Sequence, residues 1–259
     1  MENQHHFKNV ALLITHYNRS LSLERLLTSF RDLGCHFEEI VVSDDCSSPE
    51  HFEKLLELQK EFQYQLIAAE KNSGLGNNIN KGQDVVSSKY TLYIQEDFIP
   101  QSPLPGKLAE ALEIMEQTDF DFIRFYSYFK YPYLKPYKNG FSEMIFKFWY
   151  RGWKKYWLYS DHPHLRRSNF LERFGRYDEG IGTDKTENRK ALTVVQRKPK
   201  ALFHEADFRG LIVQANDLEG STVPRVDWRY SNKYPLLVFV RAIYRFLKFS
   251  FHYLFIREK

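Results

Sequence analysis

Cysteine is scarce in this chain: Cys35 and Cys46 are the only two in 259 residues. Two thiols at that spacing make neither a zinc site nor a disulfide framework, which excludes a stapled small fold and points to a reducing compartment, the cytosol by default. The opening residues MENQHHFKN hold no apolar stretch, so no secretory signal is expected. No internal repeat and no low-complexity linker is visible, which sets aside solenoids and tethered arrays. Net charge is small, +4, and unevenly placed. Residues 225–259 hold eight Lys or Arg against two acids, leaving residues 1–224 at −2. A basic partner surface therefore belongs to the C-terminal end, and no nucleic-acid partner is expected.

What is present is ordinary for a folded chain: 43% hydrophobic and 27% charged residues, enough for one generous α/β domain or two small ones. The stretch KYTLYIQEDFIP at 89–100 organises the rest. Its β-branched and aromatic first half predicts a buried strand, and Gln95-Glu96-Asp97 falls where that strand stops. In an open α/β sheet the carboxyl ends of strands are where ligands bind. Hard carboxylate oxygens held there suit Mg2+ or Mn2+ bridging phosphates. Taken alone, the pair is equally a solvated turn.

Before that stretch, VALLIT at 10–15 predicts a buried strand ending at His16-Tyr17-Asn18-Arg19, followed by a helix with Leu23, Leu26, Leu27, Phe30 and Leu33 at helical spacing and Gly34 as its cap. IVVS at 40–43 runs into Asp44-Asp45, and Pro49 opens a second helix. QLIAA at 65–69 leads to Asn72-Ser73-Gly74-Leu75-Gly76-Asn77 and a helix through Val86. This alternation implies a doubly wound, mostly parallel sheet with helices on both faces, and it gathers the loops on one edge. There Asp44 and Asp45 can accept hydrogen bonds from a base or ribose, or cap the next helix. The Gly74/Gly76 loop permits close backbone approach at a helix start.

With these pieces in order, the first hundred residues resemble the nucleotide-binding half of family 2 glycosyltransferases with the GT-A fold. The matching elements are Thr15-His16-Tyr17-Asn18-Arg19, Val42-Ser43-Asp44-Asp45-Cys46-Ser47-Ser48, Asn72-x-Gly74 with Asn80-x-Gly82, and Gln95-Glu96-Asp97 in place of the family's acidic element. The resemblance implies a nucleotide-sugar donor bound by Thr15, Tyr17, Asn18, Arg19, Asp44, Asp45, Asn72, Gly74, Asn77, Gln95 and Glu96, and a divalent metal on Asp97. Gln95 departs from the pattern, since it stands where the family has an acid. A late histidine, His204, is the candidate second ligand. Further along, residues 160–187 are similar to the family's acceptor half, in which a basic, apolar helix and a Tyr-Asp-Glu turn precede an acidic pair. On that likeness Asp184 and Glu187 are the candidate bases for taking a proton from an acceptor hydroxyl, and by themselves they are equally a dipole-favoured helix start.

Residues 126–159 are aromatic and basic, which fits stacking on sugars, a membrane interface, or a peripheral apolar subdomain. Residues 236–256 are nearly all apolar, with Arg241, Arg245, Lys248 and His252 along one helical stripe. Three formal charges near its middle argue against a spanning helix, so an interfacial helix on an anionic membrane is expected, with a basic-edged helix docked on the domain core as the alternative. The expected organisation is a domain over 1–225, divided at about residue 100 into nucleotide-binding and acceptor halves, then a membrane-surface helix over 226–259. The expected activity is transfer of a sugar to a glycan or lipid-linked glycan acceptor, inverting and metal-assisted, at the cytoplasmic face of the membrane. Its rivals are an inactive nucleotide-binding scaffold, suggested by Gln95, and a sugar nucleotidyltransferase. The second would carry a Gly-rich phosphate loop after the first strand, where this chain has His16-Tyr17-Asn18-Arg19.

Overall fold

The computed structural model describes residues 4–205, 210–220 and 235–256. Down the first hundred residues β1 (His5–His16), α1 (Ser20–Asp32), β2 (Cys35–Asp44), α2 (Pro49–Phe62), β3 (Gln65–Ala68), α3 (Gly74–Asp84) and β4 (Tyr90–Gln95) alternate as the apolar periodicity requires. After them come β5 (Phe98–Pro100), α4 (Leu104–Gln117), β6 (Phe122–Arg124), β7 (Leu134–Lys138), β8 (Phe141–Met144), a 3-10 turn (Trp153–Leu158), β9 (His164–Arg167), α5 (Phe170–Phe174), α6 (Thr183–Gln196), β10 (Ala201–His204), β11 (Ile212–Gln214) and α7 (Pro235–Phe255). Nine strands form one sheet in the order β3-β2-β1-β4-β9-β6-β10-β8-β7, and β5 pairs separately with β11.

β1 to β4 are parallel, as their continuous apolar runs predict for strands covered on both faces. Leu12 and Ile14 point into one core layer with α1, α2 and α4, whereas Leu13 points into the other with Ile79, Phe170 and Val194. Gly82 lets α3 lie close on that second face. A Cβ there would come within 2.7 Å of Leu13 and 2.9 Å of Ser43. Gly34, at φ +65°, turns the chain out of α1 as its position predicts.

The second half departs from the expected mostly parallel sheet and makes it mixed: β8 runs antiparallel to β10 and to β7, and β9 antiparallel to its neighbours. Instead of a basic helix, residues 164–167 form β9, inserted antiparallel between β4 and β6. Successive side chains in a strand take opposite faces, and this separates the two arginines. Arg166 is buried, with Nη2 donating to Gln83 at 2.7 Å. Arg167 points the other way and donates to the carbonyls of Met115 and Thr118 at the end of α4. Helix resumes only for the five residues of α5.

Candidate active site

The carboxyl ends of β1, β2 and β4 and the start of α3 meet at one edge of the sheet. The loops there are laced together. His16 Nδ1 lies 2.7 Å from Asp44 Oδ1, and the Ser47 N–H donates to Asp44 Oδ2 at 2.9 Å. Burial alone would raise the Asp44 carboxyl, but its hydrogen bonds with His16 and Ser47 outweigh that and hold it below the usual carboxylate range. Asn18, at φ +51°, accepts the Ser48 N–H at 2.7 Å and so ties the β1 loop to the β2 loop. Asp45 accepts the N–H groups of Ser73 and Gly74 at 2.9 and 2.8 Å, one on each oxygen, at the start of α3.

These contacts assign Asp44 to the scaffold. Both of its oxygens are spent on the chain, and its exposure is zero. Asp45 is committed in the same way, as the clamp on the Asn72–Gly74 turn. Gly76 permits a close approach, but the partner is internal: a Cβ at that position would sit 2.1 Å from the Asp178 carbonyl oxygen. Asn77 and Asn80 complete this junction by donating to Glu179 at 2.8 and 2.7 Å. The α3 start is thereby fastened to the segment that leads into α6. Tyr17 is half-buried and Asn72 exposed beside these loops.

At the end of β4, Tyr93 OH lies 3.1 Å from Thr15 Oγ1 and 3.5 Å from Gln95 Nε2, so Gln95 is turned toward β1. Glu96 and Asp97 are almost wholly buried, and between them stands Arg19. Its Nη1 is 3.2 Å from Asp97 Oδ2 and 3.8 Å from Glu96 Oε1, and its Nη2 donates to Asn216 Oδ1 at 2.7 Å and the Glu219 carbonyl at 3.0 Å. Gln214 also donates to Asp97 Oδ2, at 2.7 Å. Burial, then the neighbouring Asp97 charge, pushes the Glu96 carboxyl up to about 8, because one guanidinium does not offset two acids in so dry a place. Asp97 Oδ1 is buried and has no hydrogen-bond partner. An orphaned carboxylate oxygen of this kind fits a hard cation.

His204 lies at the carboxyl end of β10, three strands along from β4, packed edge-on against Phe141 at 5.2 Å. Among the described residues no three His, Cys, Asp or Glu side chains gather as metal ligands, so Glu96, Asp97 and His204 do not form one such group. Asp184 is exposed in the first turn of α6, and Glu187 is half-buried one turn later. Four residues that sequence reasoning passed over belong to the same edge. Gln214, Asn216 and Glu219 arrive through the β5–β11 pair, whose short strands carry little periodicity. Asp161 accepts from Tyr177 OH at 2.7 Å and keeps its other oxygen unpartnered and buried.

A GT-A type of α/β fold with an acidic site at the carboxyl edge of its sheet is the class that strand order and side chains define. The family model for glycosyl transferase family 2 matches residues 11–174, and the chain belongs to that family. It is 25% identical over 103 residues to poly-beta-1,6-N-acetyl-D-glucosamine synthase of Staphylococcus epidermidis, a span of 40% of this chain and 25% of that protein. Its fold is similar to that of S. aureus TarS 1-349 in complex with UDP-GlcNAc, with TM-score 0.61 and 14% identity over 84% of this chain and 61% of the other. It is also similar to the mannosyltransferase PcManGT of Pyrobaculum calidifontis in complex with GDP-Man and Mn2+, with TM-score 0.51 and 13% identity over 86% and 60%. The chain thus spans a quarter of the curated relative and about three fifths of each solved chain.

Proposed function

We propose that the protein transfers a sugar from a nucleotide-sugar donor to a hydroxyl of a glycan or lipid-linked glycan at the cytoplasmic face of the membrane, with inversion at the anomeric carbon. The observation that carries this reading is the buried Glu96–Asp97 pair at the carboxyl edge, with Arg19 against it and one Asp97 oxygen unsatisfied. Family membership supplies the reaction type. The complexes of the similar structures, one with UDP-GlcNAc and one with GDP-Man, make nucleoside-diphosphate sugars the donor class to test.

In this reading residues 1–100 bind the donor and 101–225 the acceptor. Thr15, Tyr17, Asn18 and the Asp45-clamped turn at Asn72–Gly74 line the nucleoside side, with Asn77, Gln95 and Glu96 toward the sugar diphosphate. Arg19 is the cation of the chain itself nearest the phosphates. Asp97 would hold a divalent ion, Mn2+ or Mg2+, through its unpartnered oxygen, and that ion would add positive charge against the leaving diphosphate. Asp184 or Glu187 takes the proton from the acceptor hydroxyl. That oxygen then bonds to the anomeric carbon from the face opposite the diphosphate, whose own bond to the carbon breaks with the electron pair leaving on phosphate oxygen. Fixing donor and acceptor in one frame removes much of the entropic barrier.

The membrane part rests on α7. No helix among the described residues is long and apolar enough to cross a membrane, and α7 carries Arg241, Arg245 and Lys248 along one stripe beside a broad apolar face. Purified protein incubated with a panel of nucleotide sugars and mixed glycan acceptors, with and without Mn2+, tests the activity. Turnover of at least one donor is expected. Donor binding without turnover across the panel would leave a nucleotide-binding scaffold instead.

A further inference from the structure

The sequence holds two separate stretches that carry cations and no carboxylate at all. Residues 144–160 contain Lys147, Arg151, Lys154 and Lys155, and residues 235–255 contain Arg241, Arg245 and Lys248. Folding brings them together. On α7, Phe249 is buried against Tyr156, with ring centroids 5.8 Å apart, and Ser250 Oγ lies 2.9 Å from Tyr156 OH. Gln196 of α6 donates to the carbonyls of Tyr253 and Ile256, closing the end of the helix onto the domain. Phe148 then stacks on Tyr253 at 5.6 Å, and Arg245 lies 4.8 Å over the Trp153 ring. The loop at 147–154 therefore runs alongside the docked face of α7.

Lys155 shapes that loop from inside. It is fully buried, its Nζ donating to the carbonyls of Phe148 and Tyr150, and burial lowers its pKa. Its neighbour Trp149 is held outward at 75% exposure, with Lys147 Nζ 5.6 Å from its ring centroid. The uncovered face of α7 shows Phe239, Tyr244, Leu247, Phe251, Leu254 and Phe255, each more than half exposed.

We propose that α7 and the 147–154 loop form one composite surface that docks on an anionic bilayer, with Trp149 as a second anchor entering the boundary between headgroups and acyl chains. This rests on the membrane reading above and adds to it a second point of attachment. Indole rings favour that boundary, and a wide apolar face with cations and no acids is what an anionic leaflet attracts. Charge also selects the occupant. A second copy would bring the same cationic face, which carries no acid on α7 or the 147–154 loop among the described residues, against itself, and like charges oppose that contact. Two attachment points fix a rotation as well as a distance, whereas a single helix can roll about its own axis.

The test uses the full chain carrying W153F, W157F and W228F, so that Trp149 is the sole indole. Vesicles of phosphatidylcholine alone are compared with vesicles that also contain phosphatidylglycerol. Anionic vesicles are expected to co-sediment the protein, shift Trp149 emission to the blue, and quench it when the acyl chains carry bromine. In the otherwise native chain, W149A is expected to weaken vesicle binding several-fold. K147E/R151E/K154E is expected to weaken it tenfold or more at low salt, in line with the electrostatic attraction of each cation near such a surface. All four positions are exposed, so an unchanged melting temperature checks the fold. Co-sedimentation with no Trp149 shift and no loss in W149A overturns the composite surface and leaves α7 as the sole anchor. Failure to sediment with any vesicle overturns the membrane reading and this inference with it. A lipid-free dimer that buries Trp149 assigns the face to a second copy and overturns both.

Discussion

Asp97 is the acid with an oxygen left over, and its neighbours explain why it differs from Glu96. Arg19 and Gln214 both serve Asp97 Oδ2, so Oδ1 alone is free to meet a cation. Asp97→Ala should therefore abolish the extra thermal stabilisation that Mn2+ confers on the protein with a nucleoside diphosphate, measured against the variant's own ligand-free melting temperature, which falls because Arg19 and Gln214 lose their partner. Unchanged Mn2+-dependent stabilisation would falsify the assignment. The candidate bases are tested by rate. Asp184→Asn or Glu187→Gln should leave donor binding near normal and cut transfer about a hundredfold, the usual worth of a positioned base. Wild-type rates in both variants place the base elsewhere, and Asp161, with its own unpartnered oxygen, is then the next to substitute. At this scale the sequence points to the acids but not to the partners that hold them. Asp44 and Asp45 look alike in the chain, yet one is closed off by His16 and Ser47 and the other spans the start of α3, because hydrogen-bond partners come from residues far away in sequence.

Among the elements, α6 carries a buried amine whose titration can be followed. Lys190 Nζ donates to the Phe174 and Gly175 carbonyls, and burial, then the nearby Arg166 charge, lowers its pKa to about 7. Between pH 7 and the ordinary lysine value near 10.4, the unfolded chain keeps a proton that the folded protein has released. Raising pH through that window removes the unfolded state's advantage, so this group makes stability rise with pH, by at most about 1.4 kcal/mol per unit. Below pH 7 the effect levels off. Urea melts of wild type and Lys190→Gln across pH 7–10 should show a steeper rise in wild type, and parallel curves would show that Lys190 titrates as it does in water. The elements themselves were legible in proportion to their burial pattern. β1 to β4, apolar on both faces, write unbroken runs in the sequence. β9 does not, because its buried face carries an arginine satisfied by Gln83, and HLRR with a short helix behind it has the look of one longer basic helix.

For the molecule as a whole, α7 is both part of the packing and an exposed surface. Its basic stripe and apolar breadth were visible in the sequence, but the docking through Phe249, Ser250 and Tyr253 was not, since that depends on where the 153–158 turn falls. Truncation after Lys233 should therefore do two things. It should lose most binding to anionic vesicles, and it should lower stability by about 3–5 kcal/mol, the usual scale for removing a buried aromatic anchor. Donor binding should persist, because none of the candidate donor-binding residues lies on α7. Substituting Glu for Arg241, Arg245 and Lys248 isolates the surface term, with binding that weakens further as salt shortens the Debye length. Equal vesicle binding by full-length and truncated chains would assign α7 to the soluble core.

The bridge made by Arg19 also bears on the order and speed of events. Its guanidinium holds Asn216 and the Glu219 carbonyl to the acid pair, and the Glu219 carboxylate in turn accepts the Ser22 N–H at 2.8 Å at the start of α1. If a diphosphate that engages Arg19 does so by displacing these contacts, its entry would be gated by a step within the protein. The observed rate of donor binding in stopped flow should then level off as donor concentration rises instead of climbing in proportion. Arg19→Gln should raise the plateau even as it weakens the final complex.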